Sequence, residues 1–405
     1  MKTLCKIGYR IRQRALHLAS FMLPWREPQL FKGSDAMPKL ASHLFGKNIR
    51  TLLIVTDANI LQLGLMDSML AALKAAGITT HIYSETTADP TIQQAEAAAR
   101  RYRDTNSQAI IAFGGGSPMD CGKAAAACLS RPKKSLAQMG GLLRVLRRTV
   151  PLYAVPTTAG TGSEATVAAV ITDPASHRKF AINDLCLIPD AAVLDPALLA
   201  GLPAHITAAT GMDTLCHAIE AYIGKSTTRK TRQQSIEAVK LVFENLETSF
   251  REGGNLEARE KMQTAAYLAG LAFTRSYVGY VHALSHNLGA FYGIPHGLAN
   301  AVVLPIVLEA YGEAIHRPLA RLADELSLSL PSSDDRTKSE LFIQAIRAMN
   351  QRMGIPAHLP QIQAEDIDAM VANALKEANP TYPVPLIWFA PKLKELYTVI
   401  AGTKT

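Results

Sequence analysis

The chain has 405 residues, 48% of them hydrophobic and 19% charged, with 42 Lys and Arg against 34 Asp and Glu for a net charge of +8. That balance can bury a large core and excludes extended disorder, and the length allows roughly two to three domains of about 150 residues. No uninterrupted apolar stretch reaches the ~18 residues of a membrane helix, since the best candidate, around 298–308, holds Asn300 and Pro305 and runs into Glu309.

The basic excess sits at the start of the chain. Residues 1–30 carry Lys2, Lys6, Arg10, Arg12, Arg14 and Arg26 against one acid, Glu27, which leaves a net charge of only +3 on the other 375 residues. A body this close to neutral gives no reason to expect a nucleic-acid partner. Leu4, Ile7, Ile11, Leu18 and Met22 recur at helical spacing beside those cations. Pro24, Trp25, Arg26 and Glu27 follow where a secretory signal would need a small-residue cleavage site. One reading is weak surface association of this helix with an acidic membrane or a partner. The preferred reading is an extension that packs on its own protein or on an oligomer neighbour.

Short apolar runs then alternate with alanine-rich helical stretches from about Arg50 to Asp195. Thr51–Thr56 reads as a buried strand, the segment up to Ala76 as one helix ending at Gly77, and Thr79–Tyr83 as a strand. Thr91–Tyr102 is helical, Ala109–Phe113 is a strand running into Gly114, Gly115 and Gly116, Met119–Leu129 is a helix, and Pro151–Val155 is a strand. Such alternation predicts a mostly parallel sheet covered by helices. From about His205 the pattern changes to long helices, with the boundary near Leu202–Pro203.

Two loops follow strands of that sheet. Gly114-Gly115-Gly116-Ser117 precedes a helix, so bare backbone N–H groups and a positive dipole end can receive a phosphate. Pro156-Thr157-Thr158-Ala159-Gly160-Thr161-Gly162-Ser163-Glu164 places hydroxyls after the next strand. Taken alone, the triple glycine is more often just a tight turn, and the second loop reads as a polar loop whose hydroxyls bond their own backbone; together they point to a shared nucleotide crevice, although G-x-G-x-x-G is absent. Asp57, past the first strand, can accept from a ribose hydroxyl and would favour NAD over its 2′-phosphorylated form.

In the helical half, Asp213 and His217 lie four apart on one helix face. His282 and His286 repeat that spacing, and His296 follows in Gly293-Ile294-Pro295-His296-Gly297. One carboxylate with several imidazoles suits a divalent metal such as Fe(II) or Zn(II). The spacing leaves open which of the three later histidines bind it, and any single one is more often a satisfied structural residue or a surface group. The five cysteines are odd in number and form no Cys-x-x-Cys pair. They argue against a disulfide scaffold and for a reducing, cytoplasmic setting.

These motifs, in this order and over roughly residues 28–400, resemble the iron-containing (group III) alcohol dehydrogenases. The most specific pieces are Gly114 to Lys123, Pro156 to Glu164, Gly211 to Tyr222, and His282 through His286 to His296-Gly297. The resemblance implies a basic extension over 1–30, a Rossmann-like dinucleotide-binding domain over 31–203 and an all-helical metal-binding domain over 204–405, with the active site in the cleft between. It implies Asp213, His217, His282 and His296 as metal ligands, with His286 near the nicotinamide. It implies Asp57, Gly115, Gly116, Ser117, Thr157, Thr158, Thr161 and Lys179 as contacts for NAD. Position 89 departs from the family's usual Asn-Pro-Thr and reads Asp89-Pro90-Thr91.

The expected function is hydride transfer between a primary alcohol, or its aldehyde, and NAD, in a homodimer or larger homo-oligomer. A metal- and NAD-dependent lyase of the dehydroquinate-synthase-like branch is the first alternative; the His282-x13-His296 spacing and a Gly-Gly-Gly-Ser loop favour the dehydrogenase. A non-catalytic protein keeping the fold has no need of four converging ligands. A metallohydrolase leaves the two phosphate-type loops unexplained. The aromatics Phe273, Tyr277 and Tyr280 are expected in helix packing rather than in the substrate site.

Overall fold

The computed structural model describes residues 2–175 and 178–403. The chain forms two compact units, one of Pro24–Leu202 and one of Met1–Leu23 with Pro203–Thr405. The 1–30 extension is therefore divided: its first part folds with the helical unit, and its last residues open the sheet of the other.

Among the described residues the strands are β1 (Gln29–Lys32), β2 (Thr51–Val55), β3 (Thr79–Tyr83), β4 (Ala109–Gly114), β5 (Gly141–Leu142), β6 (Leu152–Pro156), β7 (Ala168–Asp173), β8 (Arg178–Asn183) and β9 (Ala191–Leu194). Six of them form an all-parallel sheet in the order β1-β9-β6-β4-β2-β3. Leu52 to Val55 are all buried, as a strand covered on both faces requires. Leu53, Val55 and Ile110 face a core filled by Ala95, Ala98, Ala99 and Ala124 to Ala127 of two helices, Ile92–Asp104 and Gly116–Ser130. Gly122 lets the second helix lie close on β4, because a Cβ there would stand 2.8 Å from that of Ala112. On the opposite face His43, from the helix Ala36–Gly46, packs edge-on against Phe31 and Tyr153.

The chain runs from β2 outward to β3 and then back across to β4, so the strand order reverses between β2 and β4. Open α/β sheets bind ligands beyond the carboxyl ends of the strands at such a point. The remaining strands make a separate small sheet, β5-β8-β7, in which β7 and β8 are antiparallel.

Two expectations change in detail. The stretch read as one helix to Ala76 is two, Ala58–Gln62 and Asp67–Ala75, interrupted where Gly64 adopts φ +67. The helix expected from Met119 begins at Gly116, with Gly115 as its N-cap. The three glycines thus carry the chain from the strand end at Gly114 through the N-cap Gly115 to the first helical residue, Gly116.

After Pro203 no strand occurs among the described residues. Helices Ala204–Ile223 and Arg229–Arg251 cross closely at Gly211, where a Cβ would meet Leu246 Cδ1 at 2.2 Å. His296–Glu325 is the one described stretch long and apolar enough to cross a membrane, yet 67% of its apolar window is buried inside the protein. It serves as core, with Val302, Val303, Leu304 and Val307 enclosed. The helix Lys2–Ser20 docks on this unit through polar side chains. Arg10 donates to the carbonyls of Val384 at 2.8 Å and Pro385 at 3.0 Å, and Gln13 to those of Tyr382 at 2.7 Å and Asn379 at 3.2 Å.

Candidate functional site

Three helices of the helical unit converge on Asp213. Its Oδ1 lies 3.8 Å from His217 Nδ1, one turn on in Ala204–Ile223, and 3.7 Å from His282 Nε2 of the helix Tyr280–Tyr292. His296, first residue of the helix His296–Tyr311, places Nε2 at 3.5 Å from the same oxygen. The donor atoms of Asp213, His217 and His282 all lie within 4.8 Å of one another, in full burial; His296 stands at the more open rim. Gly297 makes the convergence possible, because a Cβ there would stand 2.3 Å from the Ala209 carbonyl oxygen and hold the two helices apart.

This donor set fits a divalent metal. A carboxylate and three imidazoles match borderline cations in charge and softness. The Asn300 amide nitrogen fills part of that role: it lies 2.7 Å from Asp213 Oδ1, 3.2 Å from His282 Nε2 and 3.1 Å from His296 Nε2. The Asn300 Oδ1 is buried with no hydrogen-bond partner, so the same side chain holds an unused acceptor beside a cation site.

The electrostatics follow from the packing. Burial alone would raise the Asp213 carboxyl, but His217, His296 and His282 outweigh it and hold the group well below the usual carboxylate range. Burial lowers His282, yet the neighbouring carboxylates of Asp213, 3.7 Å from Nε2, and Glu220, hydrogen-bonded to Nδ1, carry it up to about 9. Desolvation, reinforced by three neighbouring imidazoles against the pull of Asp213, pushes His296 down to about 3.

Glu220 was visible only as part of a motif, and the structure gives it a place. Its Oε2 is 2.6 Å from His282 Nδ1, and its Oε1 accepts the Val281 N–H at 2.7 Å. Gly279 permits this approach, since a Cβ there would lie 2.7 Å from Glu220 Oε1. A proton on Nδ1 leaves Nε2 facing Asp213, the arrangement a ligand histidine needs. Asn300 and Glu220 lie one helical turn from the candidate ligands His296 and His217 respectively, a signal that could have found them.

His286 stands beside the cluster rather than in it. Its ring stacks on His296 at 5.2 Å, and its Nδ1 lies 2.8 Å from Glu377 Oε1, which also accepts the Tyr382 hydroxyl at 2.8 Å. Burial would raise the Glu377 carboxyl, but His286 and Tyr382 draw it below its ordinary value. Sequence spacing carried no signal for this pairing across 91 residues. Of the aromatics, Phe273 stacks on His217 at 4.2 Å and so lines the cluster. Tyr280 is wholly buried against Trp388.

In the other unit, the two loops lie side by side at the ends of β4 and β6, where Gly114 pairs with Pro156 and accepts the Thr157 N–H at 3.0 Å. Cβ atoms added to Gly115 and Gly116 would meet Thr158 at 3.6 Å and Thr161 at 3.0 Å. The glycines therefore give the two loops room to abut. Gly116 and Ser117 present first-turn N–H groups, which have no acceptor one turn earlier in a helix. Lys123 fastens this arrangement from below. Its buried ammonium donates to the carbonyls of Ser163, Thr166 and Ala168 at 2.6, 3.0 and 2.9 Å. Desolvation, partly offset by Asp120 and Glu164, lowers it to about 8.

Asp57 lies past β2 and caps a helix, its Oδ1 accepting the Ile60 N–H at 2.9 Å. Lys179 belongs to β8 in the small sheet, where its Nζ pairs with Asp89 Oδ2 at 2.7 Å. The residue that departs from the resemblance is thus the one that holds Lys179.

Residues 28–196 match the family described as iron-containing alcohol dehydrogenase, and residues 207–386 match the C-terminal part of the Fe-containing alcohol dehydrogenase family. Alcohol dehydrogenase 4 of Saccharomyces cerevisiae (strain YJM789) is 35% identical over 363 residues, covering 89% of this chain and 93% of that protein. The NAD-dependent methanol dehydrogenase of Bacillus methanolicus is 33% identical, covering 89% of this chain and 94% of its own length. The crystal structure of a 1,3-propanediol oxidoreductase superposes with a TM-score of 0.90 at 33% identity, covering 93% of this chain and 99% of that one. The chain belongs to the iron-containing alcohol dehydrogenase family.

Proposed function

We propose that this enzyme transfers a hydride reversibly between a primary alcohol, or its aldehyde, and NAD. The observation that carries the reading is the buried convergence of Asp213, His217 and His282, completed by His296 at the rim. These four residues would hold the metal, Fe(II) before Zn(II). When bound, the metal supplies Lewis acidity that lowers the pKa of the alcohol hydroxyl and helps orient its carbon for hydride loss to the nicotinamide.

The chain's own residues do the rest. Gly115, Gly116, Ser117, Thr157, Thr158 and Thr161 receive the pyrophosphate, Asp57 the ribose, and Lys179 adds a cation. Phe273 covers one face of His217 and keeps water from it. His286 moves the released proton: Glu377 holds its Nδ1, its side chain is half-exposed, and its ring lies against His296. Relatives named for alcohol, methanol and 1,3-propanediol chemistry support an alcohol substrate. Five free cysteines support a reducing, cytoplasmic setting.

His282→Ala tests the reading. The variant should lose bound metal and turnover of alcohols with NAD, while binding NAD as the parent does. Turnover by a metal-free protein, or no reduced nicotinamide formed from any of a panel of primary alcohols by metal-loaded parent enzyme, would overturn it.

A further inference from the structure

The helix Lys2–Ser20 is amphipathic and docked the wrong way round. Its polar face is the one held by the protein: Gln13 is 4% exposed, Arg10 and Gln13 bond four carbonyls of the segment 379–385, and Lys6 lies over the Phe389 ring at 5.6 Å. Leu4, Ile7, Ile11 and Leu18, at helical spacing on the opposite face, are 52–74% exposed. Phe21 and Met22, just beyond the helix, continue the stripe at 59% and 88%. A helix stabilised by its own fold buries its apolar face; this one is moored by hydrogen bonds so that its apolar face looks outward.

We infer that this stripe docks the enzyme on the surface of an anionic phospholipid bilayer. Arg12 and Arg14 are exposed beside the stripe, and the first acidic residue in the chain is Glu27. An amphipathic helix with cations bordering its apolar face lies in the plane of such a surface, side chains entering about 5–10 Å to the boundary between headgroups and acyl chains. Each cation near an anionic surface raises partitioning roughly fivefold. The same charges oppose the other way of covering the stripe: two copies meeting through it would bring Arg12 and Arg14 of each against the other's. The family match begins at residue 28, so the helix is an addition to the part of the chain that the alcohol chemistry uses. The docking is independent of the proposed reaction.

Co-sedimentation of the full-length enzyme with vesicles tests it, using phosphatidylcholine alone or mixed with phosphatidylglycerol. The parent should sediment with the mixed vesicles, much less with phosphatidylcholine, and less as salt is raised. The double variant Ile7→Ser, Ile11→Ser should partition at least roughly tenfold more weakly, and Arg12→Gln with Arg14→Gln should lose the preference for the anionic lipid. All of these sites are exposed, so each variant should keep the parent's alcohol turnover in the absence of vesicles, which also reports that it has folded. Equal sedimentation of parent and serine variant, or no sedimentation of the parent with either vesicle, overturns the proposal. So does a dimer in analytical ultracentrifugation that the serine variant abolishes, which would assign the stripe to a second copy.

Discussion

At His282 a single imidazole must face two ways. Glu220 takes its Nδ1 at 2.6 Å, and Nε2 faces the Asp213 oxygen at 3.7 Å. Glu220→Gln is the informative change because it preserves shape. The glutamine carbonyl can still accept the Val281 N–H, so the start of the helix Tyr280–Tyr292 keeps its acceptor. Its amide nitrogen then faces Nδ1, which must give up its proton, and the proton moves to Nε2, where it blocks the ligand lone pair. The metal dissociation constant, measured by competition with a chelator, should rise roughly 10–100-fold, with the fold retained. Unchanged affinity would show that Glu220 merely caps a helix. At this scale the sequence was legible where chemistry repeats at helical spacing: Asp213 with His217, and His282 with His286. It was silent on Glu377, because no local period links a carboxylate to an imidazole 91 residues away.

Among elements, legibility of the central strands followed burial. The strands β2, β4 and β6 read directly as short apolar runs, since parallel strands covered on both faces carry little polar alternation; the edge strand β3, Thr-Thr-His-Ile-Tyr, is half-buried at best and reads from its β-branched and aromatic residues instead. β9 is Ala-Ala-Val-Leu inside an alanine-rich stretch that reads as well for helix, and β1 is a four-residue edge strand. β7 and β8 lie in a separate small sheet whose pairing no local pattern announces. The glycines on either side of His296 offer a paired test of how elements place this candidate ligand. Gly297→Ala puts a Cβ 2.3 Å from the Ala209 carbonyl oxygen, a backbone atom that cannot turn aside. The helix His296–Tyr311 must then draw away from Ala204–Ile223, taking His296 and Asn300 with it. Gly293→Ala, at φ +65 with nothing within 4 Å, strains only its own backbone. Both should lower stability, by about 1–3 kcal/mol for overpacking and about 1–2 kcal/mol for the left-handed conformation. Only Gly297→Ala should also weaken metal binding. Equal metal affinities in the two variants would mean that the helix contact does not position His296.

On the scale of the whole molecule, the proposed metal and nucleotide sites lie in different parts of the chain. Asp213, His217, His282 and His296 all lie in the unit containing Pro203–Thr405, and the glycine and threonine loops all lie in Pro24–Leu202. Binding stabilises only the part that is folded around the ligand, by about 4 kcal/mol at a thousandfold excess over the dissociation constant. Chains with two such units commonly depart from a single two-state transition. Calorimetry of the metal-free, nucleotide-free enzyme should therefore show two unfolding steps. Adding Fe(II) anaerobically, or Zn(II), should move one of them upward, and adding NAD should move the other. His282→Ala should cancel the first shift and leave the second. Gly116→Val, whose side chain would press on Thr161 across a gap already only 3.0 Å from a bare Cβ, should cancel the second and leave the first. A single transition raised by either ligand would show that the units unfold as one body and would sink this expectation. Two steps that both respond to metal alone would do the same, because they would place metal ligation outside the helical unit.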